Sequence, residues 1–443
     1  MNRLALFGGE RVRLQPFPAW PIFDQREETA LLRVLRSGKW WAYSYGEGVH
    51  SMGHDVADGN QGPRHSVTEF QEAFARMQGA GYGIGCATGT AALEIALKAL
   101  GVGPGDEVIV PPYSFVATAT APLMVNAVPI FCDIDPNTYN LNPQSFEAAV
   151  TPRTKAVIPV HFAGMACDME AILAVASRHG VAVLEDAAHA HGATWKDRGL
   201  GCLGEAGTFS FQASKNMTAG EGGLITTNDR DFAELCESYV WAGRKVGHAW
   251  YEHFRLGWNY RLTEFQGALL LPQLERLEEQ NNRRMRNAKY LTRALKGMPG
   301  IHPLEWPSYA TRHSFHIYIF RFRAEEFGVS RADFLAALAS EGIPCSGGYA
   351  HPLYKNAMFL EKNFYPKGCP IDCGHYDGKI DYRDFEGLCP NAERACREAI
   401  WLEHRQLLGD EHDMDDIARA VCKIHSFKEE FQGTRVAPAS RNS

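Results

Sequence analysis

Gly207-Thr208-Phe209-Ser210-Phe211-Gln212-Ala213-Ser214-Lys215-Asn216-Met217-Thr218-Ala219-Gly220-Glu221-Gly222-Gly223 is the stretch on which the reading of the fold turns. Phe209 and Phe211 alternate with Ser210 and Gln212, the period of a strand. One lysine, Lys215, follows in a polar run. A Gly-rich turn and a second apolar run, Leu224-Ile225-Thr226-Thr227, come next. A strand, a turn bearing one lysine and a returning strand make a rigid mount for a single amine. Such an amine forms a Schiff base with an aldehyde cofactor when its surroundings leave it neutral. Read alone, a lysine in a hairpin loop is far more often an ordinary exposed one, so the neighbouring sequence decides.

Outward from this stretch, apolar runs alternate with helical patterns. Strands are expected over 82–86, 107–110, 128–132, 156–160 and 181–185, and helices over 66–77, 89–100, 115–124 and 168–178. Repeated βα alternation predicts a mainly parallel sheet covered on both faces. From Asp231 the pattern turns helical, with Asn228-Asp229 as a cap. A long helix from about 263 to 295 carries Leu269, Leu270, Leu274 and Leu277 on one side and is expected to kink at Pro272. Beyond it lie a strand over 315–322, a helix over 331–340, a short strand over 343–347, a loop over 362–390 and helices over 392–399 and 414–427. The fold class is therefore α/β, a large domain with a mainly parallel sheet and a smaller α+β C-terminal domain. The expected divisions are an N-terminal arm and helix (1–40), a large domain (41–285), a small domain (286–430) and a disordered tail (431–443). Residues 42–66 read as a long loop.

The chain has 443 residues, 45% hydrophobic and 22% charged, with a net charge of −7. These values suit an ordinary globular enzyme and argue against a nucleic-acid surface. No apolar run reaches the ~18 residues of a membrane helix, and the apolar stretch at the N-terminus is too short for a signal peptide. The 11 cysteines, an odd number scattered through apolar runs, read as reduced and intracellular. Cys369, Cys373, His375 and Cys389 do not follow a standard zinc spacing, and no metal is expected.

Ligands of a parallel α/β sheet bind outside the carboxyl ends of its strands. Cys86-Ala87-Thr88-Gly89-Thr90 joins a strand to a helix N-terminus and suits a phosphate, or simply a Thr88 cap. Glu185-Asp186-Ala187-Ala188-His189 follows another strand. An ionised Asp186 there keeps a pyridinium nitrogen protonated, or else caps a turn. His189 is placed to hold a phenolic oxygen, unless it is a satisfied structural histidine. Phe115 reads as a ring for stacking on a flat cofactor or as a core side chain, and His161 carries the same ambiguity.

In combination, and in this order, Thr-Gly-Thr-Ala-Ala-Leu, Glu-Asp-Ala-Ala-His-Ala-His-Gly, Ser-Phe-Gln-Ala-Ser-Lys-Asn, the Gly-Glu-Gly-Gly at 220–223 and Asn-Tyr-Arg-Leu-Thr-Glu-Phe-Gln at 259–266 resemble the DegT/StrS family of pyridoxal 5'-phosphate (PLP)-dependent sugar aminotransferases, within fold-type I. The resemblance runs from about residue 6 to 423. Ser-Gly-Lys-Trp-Trp at 37–41 is similar to the branch that aminates keto-cyclitols and includes the aminohydroxybenzoate synthases. The resemblance implies Lys215 as the cofactor lysine and Asp186 as the pyridinium partner. It implies His189 on the phenolic oxygen, Phe115 on the ring, and Gly89, Thr90 and Ser210 on the phosphate. It implies further that Asn259 reaches the phosphate of a neighbouring subunit in a homodimer with shared sites. The implied reaction is ping-pong transfer from L-glutamate or L-glutamine to a ketone of a sugar or cyclitol, in the biosynthesis of amino sugars or aminocyclitol antibiotics. The enzyme would be cytoplasmic, with no nucleic-acid or membrane partner. A dehydratase or aromatising synthase on the same scaffold, or a non-catalytic PLP-binding regulator, shares the motifs. A nicotinamide oxidoreductase is disfavoured because no Gly-x-Gly-x-x-Gly opens a βα unit. The 42–66 loop and the 362–390 segment are longer than the family pattern and are candidates to shape the substrate mouth, as are Tyr43, Tyr45, His50, Arg244, Tyr349 and His351.

Overall fold

The computed structural model describes residues 3–41, 65–245, 247–249, 251–372 and 374–431. The greater part of the 42–66 loop, with Tyr43, Tyr45 and His50, and the C-terminal tail beyond 431 lie outside them. Among the described residues nine strands lie between 82 and 227: β1 Tyr82–Cys86, β2 Glu107–Val110, β3 Val128–Phe131, β4 Thr154–Val157, β5 Ala182–Asp186, β6 Thr194–Trp195, β7 Arg198–Gly199, β8 Ala206–Ser210 and β9 Gly223–Thr227. Seven form one sheet in the order β1-β9-β8-β5-β4-β2-β3, and β6 and β7 pair separately. Within the large sheet β9 alone runs antiparallel, against both β1 and β8. The connection between β8 and β9, residues 211–222, contains no helix, the element that ordinarily carries a parallel crossover. Strands β2, β8 and β9 are buried throughout, as helices on both faces require.

Two expected boundaries move for local reasons. The strand expected over 156–160 spans Thr154–Val157, with Val160 only bridging Asp186. Pro159 has no N–H to continue the ladder. The helix expected from 115 begins at Ala117, which leaves Phe115 in the preceding loop.

Helix Glu264–Ala294 opens with a capping box from Thr263 and Gln266 and runs unbroken through Pro272. The expected domain boundary at 285/286 falls inside it, so this one helix reaches both sheets. The second sheet, order β10-β11-β12, is antiparallel and comprises β10 Ile301–Pro303, β11 Ile317–Phe322 and β12 Ala399–Glu403. The short strand expected over 343–347 does not form. Pro344 cannot donate, and Ser346 makes only an isolated bridge to Trp401. The position beside β11 belongs to β12. Residues 362–390 cover the open edge of the large sheet: the Tyr376 hydroxyl donates to Glu107 at 2.8 Å and that of Tyr382 to the Pro129 carbonyl at 3.2 Å. Covering β3 removes an exposed edge.

The carboxyl end of β5 is locked by Glu185, which is 0% exposed. Its carboxylate accepts the N–H groups of Gly201, Leu203 and Gly204 at 2.8, 2.6 and 2.9 Å and faces His161 Nε2 at 2.9 Å. His161 Nδ1 accepts the Cys167 N–H, so Nε2 is the donor. Burial alone raises a carboxylate, but here His161 and the backbone donors outweigh it and hold Glu185 below the ordinary value. Because the folded value is the lower one, this stabilisation is present above about pH 5 and is lost as the pH falls through the folded value. Glu185→Gln is expected to destabilise the fold by about 3 kcal/mol, since an amide N–H₂ would face N–H donors. A lowered urea midpoint at neutral pH, with the difference from the parent protein narrowing in acid, checks this.

Candidate active site

A cavity of about 570 Å³ lies at the carboxyl ends of the parallel strands. Its wall contains Gly89, Thr90, Phe115, Asp186, His189, Ser210 and Lys215. Seven of the eight residues singled out by sequence thus meet at one place. The eighth, Asn259, does not line the cavity of its own chain; its side chain accepts a hydrogen bond from Arg261 at 2.6 Å.

Each residue is placed by a specific local device. Thr88 caps helix Gly89–Ala99, its hydroxyl accepting the Ala91 N–H at 3.0 Å. The cap and the anion site therefore coexist: the first-turn N–H groups of Gly89 and Thr90 remain as donors beside the cavity. A Cβ on Gly89 would lie 2.6 Å from the Cβ of Ser210. Only glycine lets the helix start approach the end of β8 closely enough to form a shallow cradle of N–H and hydroxyl donors, which suits a phosphate.

Asp186, 5% exposed, ends β5. Its Oδ2 accepts from Thr118 Oγ1 at 2.9 Å and its Oδ1 from the Ala188 N–H at 3.2 Å. The Thr118 hydroxyl proton is spent on Asp186, so Ser114 must donate to Thr118 across their 2.8 Å contact. Burial pushes Asp186 above the ordinary carboxylate value, while Thr118, Ala188 and Lys215 pull it back. The ionised Asp186 expected from sequence is favoured by a cation placed against it. Lys215 stands in the loop between β8 and β9, and burial brings its ammonium down to about 8, with Asp186 opposing. His189 Nδ1 accepts the Ala163 N–H at 3.2 Å. Burial holds its ring well below the ordinary histidine value, so His189 is neutral and its Nε2 carries the proton as a donor. Phe115, 58% exposed, presents its ring at the cavity mouth.

Several lining residues escaped the sequence reading. His316 sits directly before β11, with its ring 4.2 Å from that of His189. Its Nδ1 lies 3.1 Å from Asn216 Oδ1, and Asn216 Nδ2 donates to the Ser314 carbonyl. Trp401 and Tyr349 meet edge to face at 5.0 Å. Tyr349, named as a mouth candidate, lines the cavity; Arg244, His351 and residues 362–390 do not. A histidine inside an apolar strand pattern, Phe315-His316-Ile317, was the available signal for His316. His161 belongs to the support of Glu185 rather than to the cavity. Among the described residues no group of three or more His, Cys, Asp or Glu side chains forms a metal site; Cys373 of the Cys/His cluster lies outside those residues.

The arrangement is a cradle of N–H and hydroxyl donors, a buried carboxylate, a neutral imidazole donor, an exposed aromatic ring and one lysine of lowered basicity around a single cavity. The model of the DegT/DnrJ/EryC1/StrS aminotransferase family matches residues 55–422. L-glutamine:2-deoxy-scyllo-inosose aminotransferase of Streptomyces paromomycinus is 38% identical over 432 residues, 95% of this chain and 97% of that one. 3-Amino-5-hydroxybenzoate synthase of Amycolatopsis mediterranei (strain S699) is 36% identical over 410 residues, 92% and 96% of the two chains. The crystal structure of a 3-amino-5-hydroxybenzoic acid synthase superposes with a TM-score of 0.81 at 34% identity, covering 94% of this chain and all of that one. The similarity spans both sheets, and the chain belongs to the DegT/DnrJ/EryC1/StrS aminotransferase family.

Proposed function

We propose that the protein is a pyridoxal 5'-phosphate-dependent aminotransferase that carries an amino group from L-glutamine or L-glutamate to a ketone of a cyclitol or related sugar. The observation that carries this reading is the convergence of Lys215, Asp186 and the Gly89–Ser210 cradle on one cavity. When bound, the cofactor supplies an electron sink for the bond broken at the amino donor's α-carbon. Gly89, Thr90 and Ser210 would hold its phosphate. Asp186, fixed by Thr118 and Ala188, would pair with the ring nitrogen, whose positive charge would offset the cost of burying the carboxylate. The Nε2–H of His189 would donate to the phenolic oxygen, and Phe115 would cover the ring. Lys215 would hold the aldehyde carbon, and its amine, released when the amino donor takes its place, would move a proton to and from the donor's α-carbon, a task that needs a neutral amine. Asn259 serves the phosphate of a second copy in a homodimer. The enzyme works in the cytoplasm on small molecules, apart from nucleic acid and membrane.

Among the described lining residues Lys215 is the single cation, accompanied by Asp186 and Glu221. The remainder offer hydroxyls, imidazoles, an indole and a phenol. A wall of that kind hydrogen-bonds an uncharged polyol and offers no guanidinium to a nucleoside diphosphate. The names of the relatives point the same way, as 2-deoxy-scyllo-inosose is a keto-cyclitol. The similarity to 3-amino-5-hydroxybenzoate synthases supports a second reading, an aromatising synthase on the same scaffold. Product analysis separates the two, because only the synthase forms an aromatic ring.

The visible spectrum tests the assignment. A yellow band that bleaches on addition of L-glutamine and returns with a keto-cyclitol is the expected result. A protein that takes up no pyridoxal phosphate would overturn it. Lys215→Ala is expected to lower turnover at least ~1000-fold with an unchanged far-ultraviolet circular dichroism spectrum. The lowered basicity of Lys215 also sets a pH dependence. Capture of the aldehyde needs the neutral amine, which is scarce below about pH 8 and dominant above it. Uptake of pyridoxal phosphate by the cofactor-free protein should therefore accelerate with rising pH and level off past a midpoint near 8; a midpoint near that of an ordinary lysine would contradict the buried amine.

A further inference from the structure

The backbone immediately before Lys215 is held by side chains from distant parts of the chain. The Ala213 carbonyl accepts the Trp20 indole N–H at 3.1 Å. The next carbonyl, that of Ser214, lies 3.1 Å from His404 Nε2, and His404 Nδ1 lies 3.1 Å from Nη2 of Arg284. Donor and acceptor roles follow from chemistry alone. A carbonyl only accepts, so Nε2 of His404 carries a proton; a guanidinium only donates, so Nδ1 carries a lone pair. Arg284 thus enforces the one neutral tautomer that grips Ser214. Burial, followed by the charge of Arg284, holds His404 well below the ordinary histidine value.

Arg284 is an unusual residue to find here. It is 0% exposed, and among the described residues no carboxylate forms an ion pair with it. Its Nη1 donates to Asn281 Oδ1 at 2.8 Å, and Asn281 Nδ2 donates to the His191 carbonyl at 2.8 Å. The His404 ring meets that of Trp20 edge-on at 4.4 Å. A buried cation without a counter-charge is costly, and a methionine or leucine would fill the same volume more cheaply. What a methionine lacks is the pair of donors that hold Asn281 and set His404.

We propose that Arg284 and His404 are a positioning dyad for Lys215, gripping the Ser214 carbonyl so that the adjacent lysine amine stays in the protein-lined part of the cavity. The inference rests on Lys215 being the working amine of the proposed function. Asp186, His189 and His316 share the cavity wall with Lys215, and the charges of Lys215 and Asp186 act on one another. Without the grip, residues 213–215 relax toward the mouth, water reaches the amine, and its basicity returns toward that of an ordinary lysine.

The test is made on the full-length protein freed of bound aldehyde with hydroxylamine. Trace acetic anhydride labels amines from neutral to alkaline pH, and peptide mass spectrometry reads the Lys215 midpoint. The parent protein is expected to titrate near 8. His404→Phe keeps a ring against Trp20 and removes the donor; its midpoint should rise by about one pH unit. His404→Gln retains a donor of similar reach and should stay within about 0.3 unit of the parent. Arg284→Met, of similar length and uncharged, should behave like His404→Phe. A His404→Phe protein that titrates like the parent overturns the proposal. So does a His404→Gln protein shifted as far as His404→Phe, because packing of the ring would then be the whole effect. If His404→Phe does not fold, Arg284→Met against His404→Gln makes the same comparison. A parent protein that fails to bind pyridoxal phosphate refutes the proposed function and leaves this labelling result readable.

Discussion

Glu185 and Asp186 are consecutive residues at the end of one strand, and that adjacency governs the site. Successive side chains of a strand point to opposite faces. Glu185 turns away from the cavity into a ring of backbone donors and His161, and Asp186 turns into the cavity wall. The backbone between them is committed as well: the Asp186 carbonyl accepts the His161 N–H at 3.0 Å, and the Asp186 N–H donates to Pro159 at 2.9 Å. A shift of one residue in β5 would exchange the two carboxylates, placing the structural one in the cavity and the functional one in the core. The hydrogen bonds that stabilise Glu185 therefore define where Asp186 stands.

The loop that carries Lys215 is constrained from outside the sheet. Trp20 belongs to the N-terminal arm, His404 to the segment after β12, and His316 to the start of β11. Thr218, further along the same loop, exchanges two hydrogen bonds with the Gln273 side chain of the long helix, at 2.9 and 2.7 Å. A loop between antiparallel strands is ordinarily among the more mobile parts of a fold. Here successive backbone groups are tied to separate elements, so the lysine sits on a loop whose conformation is over-determined. The large sheet supplies the cavity, and the smaller sheet and the arm supply the restraint on its mobile edge.

The fold was readable where local pattern and burial agree. The runs of β1, β2, β5 and β9 are short, apolar and bounded by turn residues, and the helices between them begin at recognisable caps such as Thr88, Asp168 and Asp229. It failed where the pattern is ambiguous. Ala399-Ile400-Trp401-Leu402-Glu403 directly follows a helix and continues its apolar spacing, so β12 was missed, while 343–347 looked extended but lacks the donor at Pro344. In the candidate site, Lys215, Asp186, His189, Ser210, Gly89, Thr90 and Phe115 were legible because each falls at a strand end within a compact motif. Arg284, His404, Trp20 and His316 were not. Trp20, His316 and His404 reach the Lys215 loop across 100 or more residues of sequence, and Arg284 reaches it only through His404, 120 residues further on. Only the tertiary fold brings them together.

One bias acts on four of the titratable groups that line the cavity. Burial disfavours whichever form is charged. It raises Asp186, lowers Lys215 and drives His189 and His316 to neutrality. Asp186 and Lys215 each work against the other's shift, yet burial remains the larger cause for both. A site so poised favours a ligand that brings complementary charge to defined points. An anion fits the helix start at Gly89, a cation fits Asp186, and an acceptor fits the Nε2–H of His189. The charges are left to the ligand, and the protein contributes oriented donors that need no reorganisation when charge arrives. An additional cation beside Lys215 would push its basicity lower still, and a further carboxylate would raise it.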